Sequence, residues 1–178
     1  MINFSKHRWL IVTIVHYIAL FILSQINHYL SIHNVHLSIL GLLIAFSAFL
    51  LNFRQGFLSL LPTALYLESL SPLNYGSMLA TIVIIFCILI WIRHRIHRES
   101  TAIAAGMALI ANLAVHAFLT YFVLTQVGFE ALNLSLLFLN FLFSSLVIAI
   151  FTKLYFACML ETLEFFGIRI LEEQRESR

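Results

Sequence analysis

Residues 78–92 read MLATIVIIFCILIWI, with no charged side chain, and residues 93–99 read RHRIHRE. The change at Arg93 is abrupt. An apolar run of this kind is close to the roughly 20 residues that one helical crossing of a bilayer needs. Its β-branched side chains suit a lipid-embedded helix. The basic cluster behind it marks a cytoplasmic loop, because Lys and Arg gather on that side of a membrane.

Composition extends the reading to the whole chain. Of 178 residues, 62% are hydrophobic and only 10% charged, with mean hydropathy +1.00. Soluble domains lie near half apolar and a quarter charged. A soluble protein of this length has nowhere to hide so much apolar surface, whereas a bilayer accepts it.

Working outward, similar stretches lie at residues 9–26, 35–51, 57–67, 101–127 and 131–155. The third is short for a span and holds Pro62. All 10 Lys and Arg fall into alternate gaps. Lys6 and Arg8 precede the first stretch, Arg54 lies between the second and third, and Arg93, Arg95 and Arg98 lie between the fourth and fifth. Lys153, Arg169, Arg175 and Arg178 stand at or beyond the end of the sixth. The gaps at 27–34, 68–77 and 128–130 contain none. Strict alternation therefore requires residues 57–67 to cross. The expectation is an all-α polytopic membrane protein with about six transmembrane helices and both termini cytoplasmic. Lys6 and Arg8 before an apolar run imitate a signal peptide, but no small-residue cleavage site follows, so that run reads as a retained helix.

Residues 1–156 form the expected transmembrane domain. Residues 157–178 read as a cytoplasmic amphipathic tail, with Leu160, Leu163, Phe166, Ile170 and Leu171 near one helical face and four Glu largely elsewhere.

Candidate chemistry is sparse. The chain has no Asp, and Glu68 is its only acid before Glu99. Ion pumps and ion-coupled transporters usually need buried acids, which weighs against that class. His28, His33 and His36 cluster near the first outer gap without a Cys or Asp to complete a metal set. His16 and His116 fall within spans, where a neutral imidazole hydrogen-bonds between helices. Cys87 and Cys158 read as small core residues. Nucleophile motifs, phosphate loops and zinc-protease motifs are absent. The expectation is a protein that is not an enzyme, with no cofactor, no metal and no nucleic-acid partner. Arg93, Arg95 and Arg98 read as cytoplasmic topology anchors, with contact to anionic membrane-lipid head groups as the alternative. Ala104, Ala105, Gly106, Ala108, Ala111 and Ala114 read as a close-packing stripe.

Residues 65–76, LYLESLSPLNYG, carry a family resemblance. An apolar helix ends in an acid, and a short Pro-Leu-Gly loop leads to the next span. This resembles the MreD family of rod-shape-determining proteins of the bacterial inner (cytoplasmic) membrane. Glu68 stands where the family more often has Asp, and Gly76 comes later after Pro72 and Leu73 than is usual there. The resemblance implies a fold like the substrate-binding component of energy-coupling-factor vitamin transporters. It implies a scaffold role in cell-wall elongation, with an MreC-like bitopic partner beside MreB, RodA and a class B penicillin-binding protein. It marks Glu68, Pro72, Leu73 and Gly76 as the partner or turn motif. The alternative is the vitamin-binding transporter component itself, with His28, His33, Asn74 and Tyr75 around a polar pocket near the outer face. Against it, the first span offers only Ala19 where such proteins carry paired alanines for docking.

Overall fold

The computed structural model describes residues 7–71, 74–93, 95, 101–128 and 133–168. Among the described residues the chain is all-helical, without strands. The order is α1 (Arg8–Leu30), a 3-10 turn (Ser31–His33), α2 (Leu40–Leu50), α3 (Phe53–Leu70), α4 (Ser77–Arg93), α5 (Thr101–Val127) and α6 (Leu134–Phe165). Three helical segments, Arg8–His33, Ala102–Gln126 and Leu134–Phe165, are long and apolar enough to cross a membrane. The chain is an all-α membrane protein.

The shortest helix sits at the centre. Every side chain from Leu40 to Phe49 is buried, and α2 packs against α3, α4, α5 and α6. Its most extensive neighbour is α5, which contributes buried Ala104, Ala108 and Ala111. Gly41 permits that approach. A Cβ there would fall within 3.0 Å of the Ala108 carbonyl and the Asn112 backbone. Gly56 does the same on the other side, where a Cβ would meet the Ser47 carbonyl and the Phe86 ring.

The second apolar stretch of the sequence is thus two different structures. Residues 35–39 are not helical, and only Leu40–Leu50 coil. Exposed peptide groups would make such a segment untenable in hydrocarbon unless protein groups bond them. Here they do. Asn27 donates Nδ2 to the Leu37 carbonyl at 2.9 Å and accepts the Leu37 N–H on Oδ1 at 2.8 Å. The His36 N–H donates to Asn140 Oδ1 at 2.9 Å, and the Ser38 N–H to Ser144 Oγ at 2.9 Å.

The third stretch is longer than its hydropathy indicates. Helix α3 takes in Phe53–Gly56 and Glu68–Leu70, reaching 18 residues with Pro62 inside. Neighbouring hydroxyls attend that turn. Tyr17 donates to the Pro62 carbonyl at 3.0 Å, and Thr13 and Thr63 donate to the Ser59 carbonyl at 3.3 and 3.2 Å.

At the far end, α6 runs unbroken through residues 156 and 157 to Phe165. Gly167, at φ 75°, stops it. The Ile168 N–H reaches the Leu163 carbonyl at 3.0 Å and the Gly167 N–H reaches that of Glu164 at 2.8 Å. This is a Schellman cap, closed by packing of Ile168 with Leu163. The first part of the expected amphipathic tail, residues 157–165, is the end of α6, with Met159 and Leu163 in the core and Glu161 and Glu164 exposed. Residues 169–178, including Ile170 and Leu171, lie outside the described residues.

Candidate functional site

The two ends of α4 hold the buried charges that the sequence singles out. Glu68, near the end of α3, is 4% exposed. Its Oε1 accepts the Gly76 N–H at 2.7 Å and its Oε2 accepts the Leu79 N–H at 2.8 Å. These amides belong to the residue before α4 and to its third residue, groups that have no partner inside the helix. The carboxylate thus caps α4 from outside its own sequence. Its charge also faces the positive end of the helix dipole, worth about 0.3–1 kcal/mol and more when partly buried. Gly76 adopts φ +95°, a backbone conformation that disfavours other residues. The loop therefore needs Glu68 and Gly76 together: one supplies the acceptor, the other turns its N–H toward it. Pro72 and Leu73 lie outside the described residues.

Arg93 closes the other end. It is 8% exposed, and its Nη1 donates to the Ala48 carbonyl at 2.7 Å and the Leu51 carbonyl at 2.6 Å. Those carbonyls end α2, where a cation matches the negative end of the dipole. The residue that reads as a topology anchor is also the C-cap of the central helix. Arg95 instead lays its guanidinium over Trp91, 4.3 Å from the ring centroid. Arg98 lies outside the described residues.

These contacts fix which helix ends share a side. The start of α1, the end of α2 and the end of α6 meet through Ile11, Val12, Phe46, Leu51, Met159 and Leu163. Arg8, Arg54, Arg93 and Arg95 all sit at that end. Glu68 and Gly76 sit at the opposite end.

Between the caps runs a buried polar layer. Ser47 and Ser59 hydroxyls lie 3.2 Å apart, and Thr63 Oγ1 is 3.5 Å from Nδ1 of the fully buried His16. The surrounding partners are hydroxyls and carbonyls, the pattern of interhelical bonding rather than of a proton relay through acids. His28, His33 and His36 are exposed on the surface, as are Asn74 and Tyr75. No three His, Cys, Asp or Glu among the described residues come together as a metal set. Cys87 and Cys158 are free and exposed on helix surfaces, not in the core as read from the sequence.

Sequence reasoning missed Asn27, Asn140 and Ser144. Each is a polar residue at the edge of or inside an apolar stretch, and that mismatch was the available signal. Comparison of the chain with protein-family models, with curated proteins and with solved structures gives no match.

Proposed function

We propose that this protein is a non-catalytic membrane scaffold of the bacterial cell-wall elongation complex, similar to MreD, and that it binds an MreC-like bitopic partner through helix contacts. In this reading it crosses the cytoplasmic membrane six times, with both termini inside. Helices α3 and α4 span about 27 and 26 Å at 1.5 Å per residue, close to the ~30 Å hydrocarbon core. Helix α2 supplies about 16 Å at 1.5 Å per residue, and the bonded segment 35–39 precedes it in the same crossing. The gathering of Arg8, Arg54, Arg93 and Arg95 at one end supports a cytoplasmic assignment for that end.

The observation that carries the scaffold reading is the double clamp on α4. Glu68 holds its start and Arg93 ties its end to α2, so α2, α3 and α4 are bonded to one another at both ends of α4. A unit tied in this way around the buried α2 suits a docking platform better than a carrier that opens around a small molecule.

The test is co-purification from the native host in mild detergent. A single-span periplasmic coiled-coil protein, with RodA or a penicillin-binding protein, is the expected recovery, and Glu68→Ala is expected to weaken it. Recovery of ATP-binding cassette subunits with a coupling subunit would replace this reading with the vitamin-binding component of an energy-coupling-factor transporter.

A further inference from the structure

Helix α4 buries one side and exposes the other. Ile85, Phe86, Leu89 and Arg93 are buried, whereas Ile84, Ile88 and Trp91 are exposed. Steps of four, three and four residues put Ile84, Ile88, Trp91 and Arg95 on one helical stripe. Ile84 lies near the middle of α4, and Trp91 lies about 10 Å nearer its basic end at 1.5 Å per residue. Arg95 follows in the turn beyond the helix, where its N–H donates to the Ile92 carbonyl at 2.9 Å. Its guanidinium folds back over the Trp91 ring, with Cζ 4.3 Å from the centroid. The cations of this end differ in what they meet. Arg93 is buried on the carbonyls of Ala48 and Leu51. Arg54 and Arg95 are exposed, and neither has a carboxylate partner among the described residues. The exposed acids of that end, Glu161 and Glu164, stand on α6 and pair with neither.

We propose that this stripe docks an anionic phospholipid of the inner leaflet, with the head-group phosphate on Arg95 and an acyl chain along Ile88 and Ile84. The proposal rests on the reading that α4 crosses the membrane with Arg93 at the cytoplasmic face, and on no partner protein. Charge and position choose the occupant. An unpaired cation calls for an anion, and the apolar stripe beside it calls for hydrocarbon on the same molecule. A soluble acidic partner would meet Arg95 from the cytoplasm, but the guanidinium lies back along the helix over a lipid-facing ring. Tryptophan sits at the head-group level of a bilayer, and phosphates are the anions within reach there. Stacking on the ring leaves the edge of the guanidinium free for paired bonds to phosphate oxygens. A zwitterionic head group brings its own ammonium to the phosphate, whereas an anionic one leaves its charge to Arg95.

The experiment uses the full-length protein with Trp9→Phe, which leaves Trp91 as its one tryptophan. It is placed in vesicles of phosphatidylcholine and phosphatidylglycerol at equal mole fraction, with bromine on the acyl chains of one lipid or the other. Bromine quenches tryptophan on contact, so Trp91 fluorescence reads which lipid stands beside it. Phosphatidylglycerol is expected to quench as though enriched about two- to fivefold at the ring. Arg95→Gln is expected to abolish that excess. Arg54→Gln removes the same charge from α3, off the stripe, and is expected to leave the excess in place. Circular dichroism checks that both variants keep their helicity. Equal quenching by the two lipids overturns the proposal, as does an excess that survives Arg95→Gln. So does an equal fall in both variants, the mark of diffuse charge rather than of a site. In all three results quenching itself persists and the crossing of α4 stands. Absence of quenching by either lipid would take Trp91 out of the membrane and overturn the crossing as well.

Discussion

Helices α2 and α6 are built from nearly the same apolar alphabet and have opposite fates. The shorter, Leu40–Leu50, is buried from Leu40 to Phe49. The longer, Leu134–Phe165, buries only Ser144, Ile148, Thr152, Met159 and Leu163. Leucine and phenylalanine serve both. The difference lies in the smaller residues. Helix α2 has Gly41, Ala45, Ser47 and Ala48, which let other backbones come close, while α6 presents Phe138, Leu142, Leu146 and Ile150 outward. In a bilayer, apolar contact alone does not drive helices together, so backbone approach and hydrogen bonds decide which helix is central.

The comparison breaks hardest at Gly41. Gly41→Leu is expected to cost about 3 kcal/mol or more, at the top of the range for overpacking, because the new side chain meets the α5 backbone rather than a yielding side chain. Denaturant titration in mixed micelles reads it as a lower midpoint. A midpoint unchanged from wild type would mean that α2 is not wedged against α5. Next comes Arg93→Met, which removes the donor to the Ala48 and Leu51 carbonyls and is expected to cost about 2–3 kcal/mol, with Arg93→Lys recovering part of it. Glu68→Gln keeps the shape but turns an amide NH₂ toward a backbone N–H. Loss of one charge-assisted bond is expected to cost about 2 kcal/mol. Hydrogen exchange at the first turn of α4 localises the effect. The smallest change is at α6. Leu146→Ala, on a side chain 53% exposed, is expected to move stability by less than about 0.5 kcal/mol. A larger loss of partner capture without loss of stability would identify that face as a docking surface.

The helical membrane class was legible in composition and in the spacing of charges, because lipid imposes both. Glu68 was legible as a turn residue, since a lone acid after an apolar run has few other uses. Its precise partners, Gly76 and Leu79, were not, because they depend on how α3 and α4 dock. The length of α3 was hidden by Arg54 and Gln55, polar residues that hydropathy excludes but a helix accepts. The split of residues 35–51 was hidden by the reverse. Val35, Leu37 and Ile39 are as apolar as a helix requires, and the side chains that bond this non-helical segment come from Asn27, Asn140 and Ser144. Hydropathy sees depth, and these are contacts across sequence.

That non-helical segment also sets a schedule for biogenesis. Its His36 and Ser38 amides bond to Asn140 and Ser144, 104 and 106 residues farther along the chain. During synthesis, residues 35–39 emerge long before their acceptors exist. Until α6 enters the membrane, the Asn27 clamp on Leu37 and the Val35 N–H bond to the Leu30 carbonyl are available, while the His36 and Ser38 amides must remain near water or within the insertion machinery. The first hairpin is thus completed by α6. A nascent chain that ends before residue 140 therefore carries an unfinished N-terminal third, even though its earlier helices have been made.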